Sequence, residues 1–179
     1  MSVVINPFSF SSAKVPPVAR IMESIWSYRE TGKGNIEEDE FPNDRDVLHL
    51  NSYQPQWLKR IALKIRKEFP GGFPPNHAIF ATLLRIAVGA DEQEEHTDSG
   101  NPDLLSWNVF IPLTHHKEQG STVFKGGIIP SRMCRNYLFD SNIKHYGQAN
   151  KSSKPRWVLV FVVETKDSFW AETRTPVAL

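Results

Sequence analysis

The run from Trp157 to Val163 constrains the fold of this 179-residue chain more than any other, because both of its faces are apolar. Successive side chains of an extended strand point to opposite sides, so the odd-numbered residues share one face and the even-numbered residues share the other. A strand that is apolar on both sides is buried on both sides. We therefore expect this strand inside a β-rich fold, with one face lining an interior and the other lying under helices.

Helical periodicity is confined to the first third of the chain. Apolar residues recur at helical spacing between Val18 and Trp26, after Pro16 and before Gly32. Proline is favoured where helices begin and glycine where they end. A second helix is predicted over 55–69, where apolar residues occupy one face and basic residues fall largely on the other. These two helices are the candidates for covering the outer face of the sheet.

From His77 onward the chain is typical of short strands separated by turn residues. The predicted strands cover 78–88, 107–113, 121–124, 136–139 and 157–163, with an earlier short strand near 47–50. The helices come first and do not alternate with strands, which argues against a parallel βαβ sheet. We expect one domain over residues 1–179 that is mainly β, with a helical part over about 1–76 and a sandwich or barrel core over about 77–164.

Charge and composition favour an ordinary soluble, cytoplasmic protein. The chain has 21 basic and 20 acidic residues, so its net charge gives no electrostatic reason to expect nucleic-acid binding. No stretch approaches the roughly 18 apolar residues that a membrane span needs. Residues 1–12 lack the basic and apolar regions of a secretory signal. The single cysteine, Cys134, cannot form an internal disulfide.

His96 and Asp98 are the first candidates for chemistry. At positions i and i+2 of extended chain, both side chains point to the same side and can reach one metal ion. A second imidazole would complete two histidines and one carboxylate on one face of the ion, which leaves open positions that suit Fe(II). His145 is the best candidate, because it follows a predicted strand and a turn 47 residues after Asp98, enough chain to cross a barrel and return.

Arg156 stands at the start of the strand that is apolar on both faces. By alternation it shares the predicted interior face with Val158 and Val160. An unpaired buried charge is costly, so this guanidinium needs an anionic partner. A dicarboxylate cosubstrate would supply one, since a planar guanidinium can hold a carboxylate through two parallel hydrogen bonds. The alternative is a structural ion pair with Glu164 or Asp140.

The ordered set of H-x-D, a distant histidine and an arginine eleven residues further resembles the Fe(II)/2-oxoglutarate-dependent dioxygenases, in their prolyl-hydroxylase-like branch. Stretches 84–89, 119–124 and 139–147 resemble that branch's strands around its site. The resemblance covers roughly residues 77–163. It implies a double-stranded β-helix core, that is, a jelly-roll or cupin-like barrel with the helices packed on its major sheet.

The resemblance also implies an activity. His96, Asp98 and His145 would be the catalytic residues that hold Fe(II), and Arg156 would bind the C5 carboxylate of 2-oxoglutarate. O₂ would be the second cosubstrate, with stimulation by ascorbate. The expected reaction is hydroxylation of a C–H bond in a peptidyl residue or small amino-acid-like molecule, with release of succinate and CO₂. The residues do not identify the substrate itself.

Two departures from the family pattern concern the cosubstrate. Ile86 stands where the prolyl-hydroxylase-like branch often has a tyrosine, and Val158 stands where a serine or threonine would follow the arginine. The second polar contact to 2-oxoglutarate must therefore come from elsewhere. Asn108 and Tyr137, each on a predicted core strand, are the candidates.

Three alternatives remain open. His116 and Glu118 form a competing H-x-E pair, although they fall in a polar turn only 29 residues before His145. A non-catalytic cupin-like binding module would keep the barrel and use it for a small ligand. A cupin dioxygenase that does not use 2-oxoglutarate would need more histidines as a rule, and would leave Arg156 without a purpose.

Overall fold

Two antiparallel sheets and two helices make up the described part of this computed structural model, which comprises residues 3–10, 15–31, 38–41, 44–50, 52–98, 105–114, 117–129, 135–166 and 174–179. The elements in chain order are β1 (Val4–Ile5), α1 (Val18–Glu30), β2 (Glu38–Phe41), β3 (Arg45–His49), α2 (Gln56–Glu68), β4 (His77–Ile86), β5 (Trp107–Pro112), a 3₁₀ turn (Lys117–Gln119), β6 (Thr122–Phe124), β7 (Gly127–Ile129), β8 (Tyr137–Asp140), β9 (His145–Gly147) and β10 (Arg156–Thr165). Within these residues the larger sheet has the order β1-β8-β5-β10-β4-β3-β2 and the smaller has the order β7-β6-β9.

The predicted burial of the last strand on both faces is confirmed. β10 pairs antiparallel with β4 along one edge and with β5 along the other. Leu159 and Phe161 pack into the same apolar cluster as the helices, whereas Val158 and Val160 pack into a second cluster between the two sheets. The strand therefore separates the helical layer from the interior of the barrel.

Helix α2 covers the outer face of the larger sheet as its apolar pattern predicts. Its buried residues are Leu58, Ile61, Ala62 and Ile65. Burial of each large aliphatic side chain stabilises the fold by roughly 1.5–3 kcal/mol. The helix ends before Gly71 and Gly72, whose φ angles of 81° and 91° fall where glycine is strongly preferred. The prediction of a mainly β fold with helices packed on the major sheet is confirmed.

Aromatic side chains join the small sheet to the large one. Phe124 of β6 lies 4.9 Å from Phe139 of β8 and 6.1 Å from Tyr137 of the same strand, measured between ring centroids. Phe110 of β5 completes the cluster at 5.1 Å from Phe139. These contacts fix the spacing between the sheets and leave a cavity beside them.

Sequence patterns missed the shortest strands. Strands β1, β2, β7 and β9 have two to four residues each, too few for alternation to be read. The short strand expected near 47–50 is β3, which extends the larger sheet beyond β4. Among the described residues, no helix has the length and apolar character needed to cross a bilayer.

Candidate metal centre and anion pocket

The structure brings together the three side chains that the sequence singled out as metal ligands. His96 and His145 face each other across an isolated antiparallel bridge, and each main-chain N–H donates to the other's carbonyl at 2.9 Å. The amide of Asp98 donates to Ser141 at 3.0 Å, which holds the turn after His96 against the end of β8. One donor atom from each of the three side chains lies within 4.8 Å of the others.

Both imidazoles direct the same ring nitrogen at the carboxylate. Nε2 of His96 lies 3.5 Å from Oδ1 of Asp98, and Nε2 of His145 lies 3.4 Å from its Oδ2. Nδ1 of His96 is 2.8 Å from the carbonyl of Glu94, and Nδ1 of His145 is 2.9 Å from the carbonyl of Ile143. A carbonyl only accepts, so Nδ1 carries the proton and Nε2 is left to bind a metal.

The protonation of the metal-free trio is set by these contacts. Burial raises the pKa of Asp98, but hydrogen bonds from His145 and His96 lower it by more, to about 2, although 31% of its side-chain surface is exposed. The hydrogen bond that Asp98 accepts from His96 raises the pKa of His96, against the opposing effect of burial. An ionised carboxylate between two imidazoles is a donor set suited to a divalent cation.

Neighbouring aromatic rings hold His145 in place. Only 4% of the surface of His145 is exposed. Its ring is stacked on Phe124 with centroids 5.5 Å apart, and it meets Phe139 in a T-shaped contact at 4.9 Å. The aromatic cluster that joins the sheets therefore also positions one candidate ligand.

Asn108, predicted as a contact to the cosubstrate, lies beside the carboxylate. Its Nδ2 donates to Oδ2 of Asp98 at 2.6 Å, and the residue lines the same cavity as the trio. This hydrogen bond fixes the orientation of the Asp98 carboxylate. A direct contact between Asn108 and the cosubstrate stays a prediction.

Arg156 lies in the cavity wall, on the interior face that alternation predicted. It is 4% exposed, and its Nη1 donates to the carbonyl of Gln119 at 3.4 Å. Its buried Nε has no hydrogen-bond partner in the described ranges, and no carboxylate of those ranges, Glu164 and Asp140 included, forms an ion pair with it. Burial lowers the pKa of Arg156, and the charge of Tyr137 opposes that shift.

Tyr137, the other predicted cosubstrate contact, lies behind the cavity wall. Its hydroxyl is 2.7 Å from Oγ1 of Thr122 in a buried hydrogen bond. Thr122 lines the cavity and was not identified from the sequence. The role of Tyr137 towards a cosubstrate stays a prediction.

A cavity of about 950 Å³ connects the trio to Arg156. Its walls include Val160 and Val162 of β10, and its rim carries Asp91, Glu92 and Glu94. It also contains Arg45 of β3, which is 1% exposed and which the sequence analysis missed. The competing histidine of the H-x-E pair, His116, lies outside the described residues.

Burial and a like charge shape the electrostatics of Arg45. Desolvation, followed by repulsion from Arg156, lowers its pKa to about 10, while Asp44 and Asp91 act in the opposite direction. Its Nη2 donates to the carbonyl of Asp91 at 2.9 Å and to that of Gly147 at 3.4 Å. The cavity therefore has two buried guanidinium groups in addition to the candidate metal ligands.

Two antiparallel sheets with a two-histidine, one-carboxylate cluster at the cavity are the fold seen in solved 2-oxoglutarate- and Fe(II)-dependent oxygenases. Comparison with solved structures agrees. A prolyl-4-hydroxylase from Pseudomonas putida superposes with a TM-score of 0.59 over 92% of this chain and 91% of its own, at 13% sequence identity. The expected double-stranded β-helix fold is thereby confirmed.

Other solved structures share this fold. The α-ketoglutarate-dependent carbocyclase SnoK from nogalamycin biosynthesis has a TM-score of 0.68 over 98% of this chain and 83% of its own, at 14% identity. HygX from Streptomyces hygroscopicus, solved with nickel, 2-oxoglutarate and hygromycin B bound, has a TM-score of 0.55 over 92% and 83%, at 14% identity. No protein-family model matches the sequence, and no curated protein sequence matches it.

Proposed function

We propose that this protein is an Fe(II)- and 2-oxoglutarate-dependent hydroxylase acting on a C–H bond of a peptidyl residue or a small amino-acid-like molecule. The observation that carries the proposal is the convergence of His96, Asp98 and His145 at the cavity that also contains Arg156. A structural ion pair for Arg156 has no support among the described residues, which favours a ligand as its anionic partner.

The donor set fits the proposed iron. Two imidazole Nε2 atoms and an ionised carboxylate would supply three ligands, and all three residues line the cavity. The buried Nε of Arg156 suits the far carboxylate of 2-oxoglutarate, since the guanidinium then gains charge-assisted hydrogen bonds. When bound, iron and 2-oxoglutarate supply the oxidising chemistry with O₂, one oxygen atom going to the substrate and the other to succinate as CO₂ is released.

In this scheme the protein's side chains would bind the ion and orient its ligands. His96, Asp98 and His145 would hold the ion, Asn108 fixes the rotation of the Asp98 carboxylate, and Phe124 keeps the His145 ring in place. Val160 and Val162 line the cavity with apolar surface, which limits the water near the ion. The cavity volume of about 950 Å³ exceeds what a five-carbon diacid occupies, so room remains for part of a substrate.

Formation of succinate without a prime substrate tests the proposal first. Protein prepared without oxygen is given Fe(II), 2-oxoglutarate, ascorbate and then air, and succinate is measured. We expect turnover that is lost in His145→Ala and retained in His77→Ala, because His77 lies at the start of β4 with its ring nitrogens near the carbonyls of Pro75 and Leu105. Binding of iron and 2-oxoglutarate with no succinate would favour the non-catalytic module instead.

A substrate screen tests the proposed class of substrate. Peptides and free amino acids are incubated with the complete enzyme, and products are read by a mass gain of one oxygen atom, with His96→Ala as the blank. A gain seen with peptides or amino acids and absent in the blank would support the assignment. Succinate formation stimulated only by other classes of compound would contradict the proposed substrate while leaving the reaction type intact.

A further inference from the structure

Strand register places two arginines in one row on the inner face of the larger sheet, with one residue between them. Ile86 of β4 is the direct partner of Arg156 on β10 and of Arg45 on β3. Directly paired residues of antiparallel strands point to the same face. Arg45 and Arg156 therefore flank Ile86 in one row, and both side chains enter the cavity that leads to the candidate metal ligands.

The two guanidinium groups converge at Gly147. A Cβ atom built at Gly147 would lie 3.5 Å from Nη2 of Arg45 and 3.5 Å from Nη2 of Arg156. Both arginines are almost fully buried, at 1% and 4% exposure. Glycine at this position adds no side chain of its own between the two groups, where Oε1 of Gln93 also lies 2.8 Å from the built Cβ.

Two buried cations this close repel each other, so the pair is stable only with anions nearby. Asp44 and Asp91 raise the pKa of Arg45, but among the described groups neither of these carboxylates acts on Arg156. The hydrogen bonds from Arg45 to Asp91 and Gly147 are accepted by main-chain carbonyls, which are neutral. A carboxylate bound between the two guanidinium groups would offset the repulsion on the cavity side.

We propose that Arg45 and Arg156 together hold the far carboxylate of the 2-oxo diacid, so that Arg45 supplies the second polar contact missing at Ile86 and Val158. This inference rests on the proposed function, because it assigns a residue to that same cosubstrate. Arg45 comes from a strand that extends the larger sheet outside the barrel's paired β4 and β10, which is why the family pattern did not indicate it.

A purely structural role is the competing explanation, because Arg45 also ties residue 91 to β9 through its two main-chain acceptors. The two roles differ in their dependence on the ligand. A structural residue affects every ligand of the pocket alike, whereas a carboxylate contact affects only ligands that have the far carboxylate.

The test compares 2-oxoglutarate with 2-oxopentanoate, which has the same chelating end and a methyl group in place of the far carboxylate. Binding of each to the Fe(II)-loaded protein is measured by calorimetry without oxygen, for wild type, Arg45→Gln, Arg156→Gln and Arg85→Gln. Arg85 is the matched control, since it precedes Ile86 on β4, points to the other face and pairs with Asp46. Unfolding temperatures are recorded for every variant.

We expect Arg45→Gln to weaken 2-oxoglutarate about tenfold or more, as loss of a hydrogen bond to a charged group does. The same variant should bind 2-oxopentanoate within about twofold of wild type, and Arg85→Gln should change neither ligand. Equal weakening of both ligands, or no change for 2-oxoglutarate, would overturn the inference. Should Arg45→Gln fail to fold, Arg45→Lys is judged by the same comparison, with a smaller loss confined to 2-oxoglutarate.

Failure of the proposed function would be visible separately. If the wild-type protein binds the metal but neither 2-oxo acid, the cosubstrate assignment itself is wrong and the role of Arg45 goes with it. If wild type binds 2-oxoglutarate and Arg156→Gln abolishes that binding while Arg45→Gln does not alter it, only the further inference is wrong.

Discussion

Nδ2 of Asn108 donates to Oδ2 of Asp98 at 2.6 Å, and Nε2 of His145 lies 3.4 Å from that same oxygen. One carboxylate oxygen thus meets an amide donor from the large sheet and an imidazole from the small sheet. The orientation of the carboxylate depends on a residue that is not itself a candidate ligand. Removal of Asn108 should therefore affect the ion more than the fold.

Asn108→Ala should weaken metal binding by about 10–100-fold, the usual cost of losing a partner that orients a ligand. Mn(II) affinity, followed by the signal of the free ion, measures this. Asn136→Ala is the matched control, because Asn136 is also fully buried but exchanges hydrogen bonds with Phe8. It should lower stability and leave the affinity unchanged. Equal affinities in Asn108→Ala and wild type would contradict the assigned role.

Metal affinity should rise with pH until the pH exceeds the raised pKa of His96. The hydrogen bond that Asp98 accepts from His96 raises the pKa of His96 above its usual value of about 6.5, so His96 retains a proton that a metal must displace. The affinity should gain about tenfold per pH unit below that pKa and level off above it. Asp98, with a pKa of about 2, stays ionised throughout and contributes no slope. A flat profile from Mn(II) titrations at four pH values would contradict this picture.

Gly147→Ala should disturb the pocket although the added group is small. The new Cβ would lie 2.8 Å from Oε1 of Gln93, which accepts the Gly147 N–H at 3.0 Å. Gln93 can move aside only by giving up that hydrogen bond, at about 0.5–1.5 kcal/mol. Gly127→Ala is the control, because its Cβ would meet nothing within 4 Å. Urea unfolding should show lower stability for the first variant only, and calorimetry should show weaker 2-oxoglutarate binding for it as well.

Leu58→Ala should destabilise the protein by about 2–5 kcal/mol, as a large-to-small change in a packed core does. Leu58 is fully buried between α2 and the larger sheet. Leu63 on the same helix is 41% exposed, so Leu63→Ala should change the free energy of unfolding by less than about 0.5 kcal/mol. Chemical denaturation of both variants gives the difference. Similar losses would mean that α2 does not pack as described.

Local sequence patterns were sufficient wherever a prediction depended on a single strand or helix. Alternation along residues 157–163 was sufficient to predict both faces of β10, and the i, i+2 spacing placed His96 and Asp98 on one side. Arg45 could not be found this way. Its position beside Arg156 depends on how β3 pairs with β4, and register between strands is set by tertiary packing rather than by either segment alone.

The contacts of Asn108 and Thr122 likewise depend on packing between segments that are distant in the sequence. Alternation indicated that Asn108 lies on a core strand, but its hydrogen bond to Asp98 requires the turn after His96 to return over the sheet. Strand β9 has three residues, too few to show a period, although it carries His145. The convergence of the candidate ligands was therefore predictable from residue type and order, and the supporting contacts were not.

β10 is hydrogen-bonded to a neighbouring strand along each edge, so the amides on its side of the pocket should exchange with solvent more slowly than those near the histidines. β10 is paired with β4 over ten residues and with β5 over six, whereas β9, which carries His145, is paired with β6 over three residues and His96 meets it at an isolated bridge. Segments held by few pairs open at the lowest free energy. Amide deuterium exchange should accordingly be slower along residues 158–163 of β10, which is paired on both edges, than around His96 and His145.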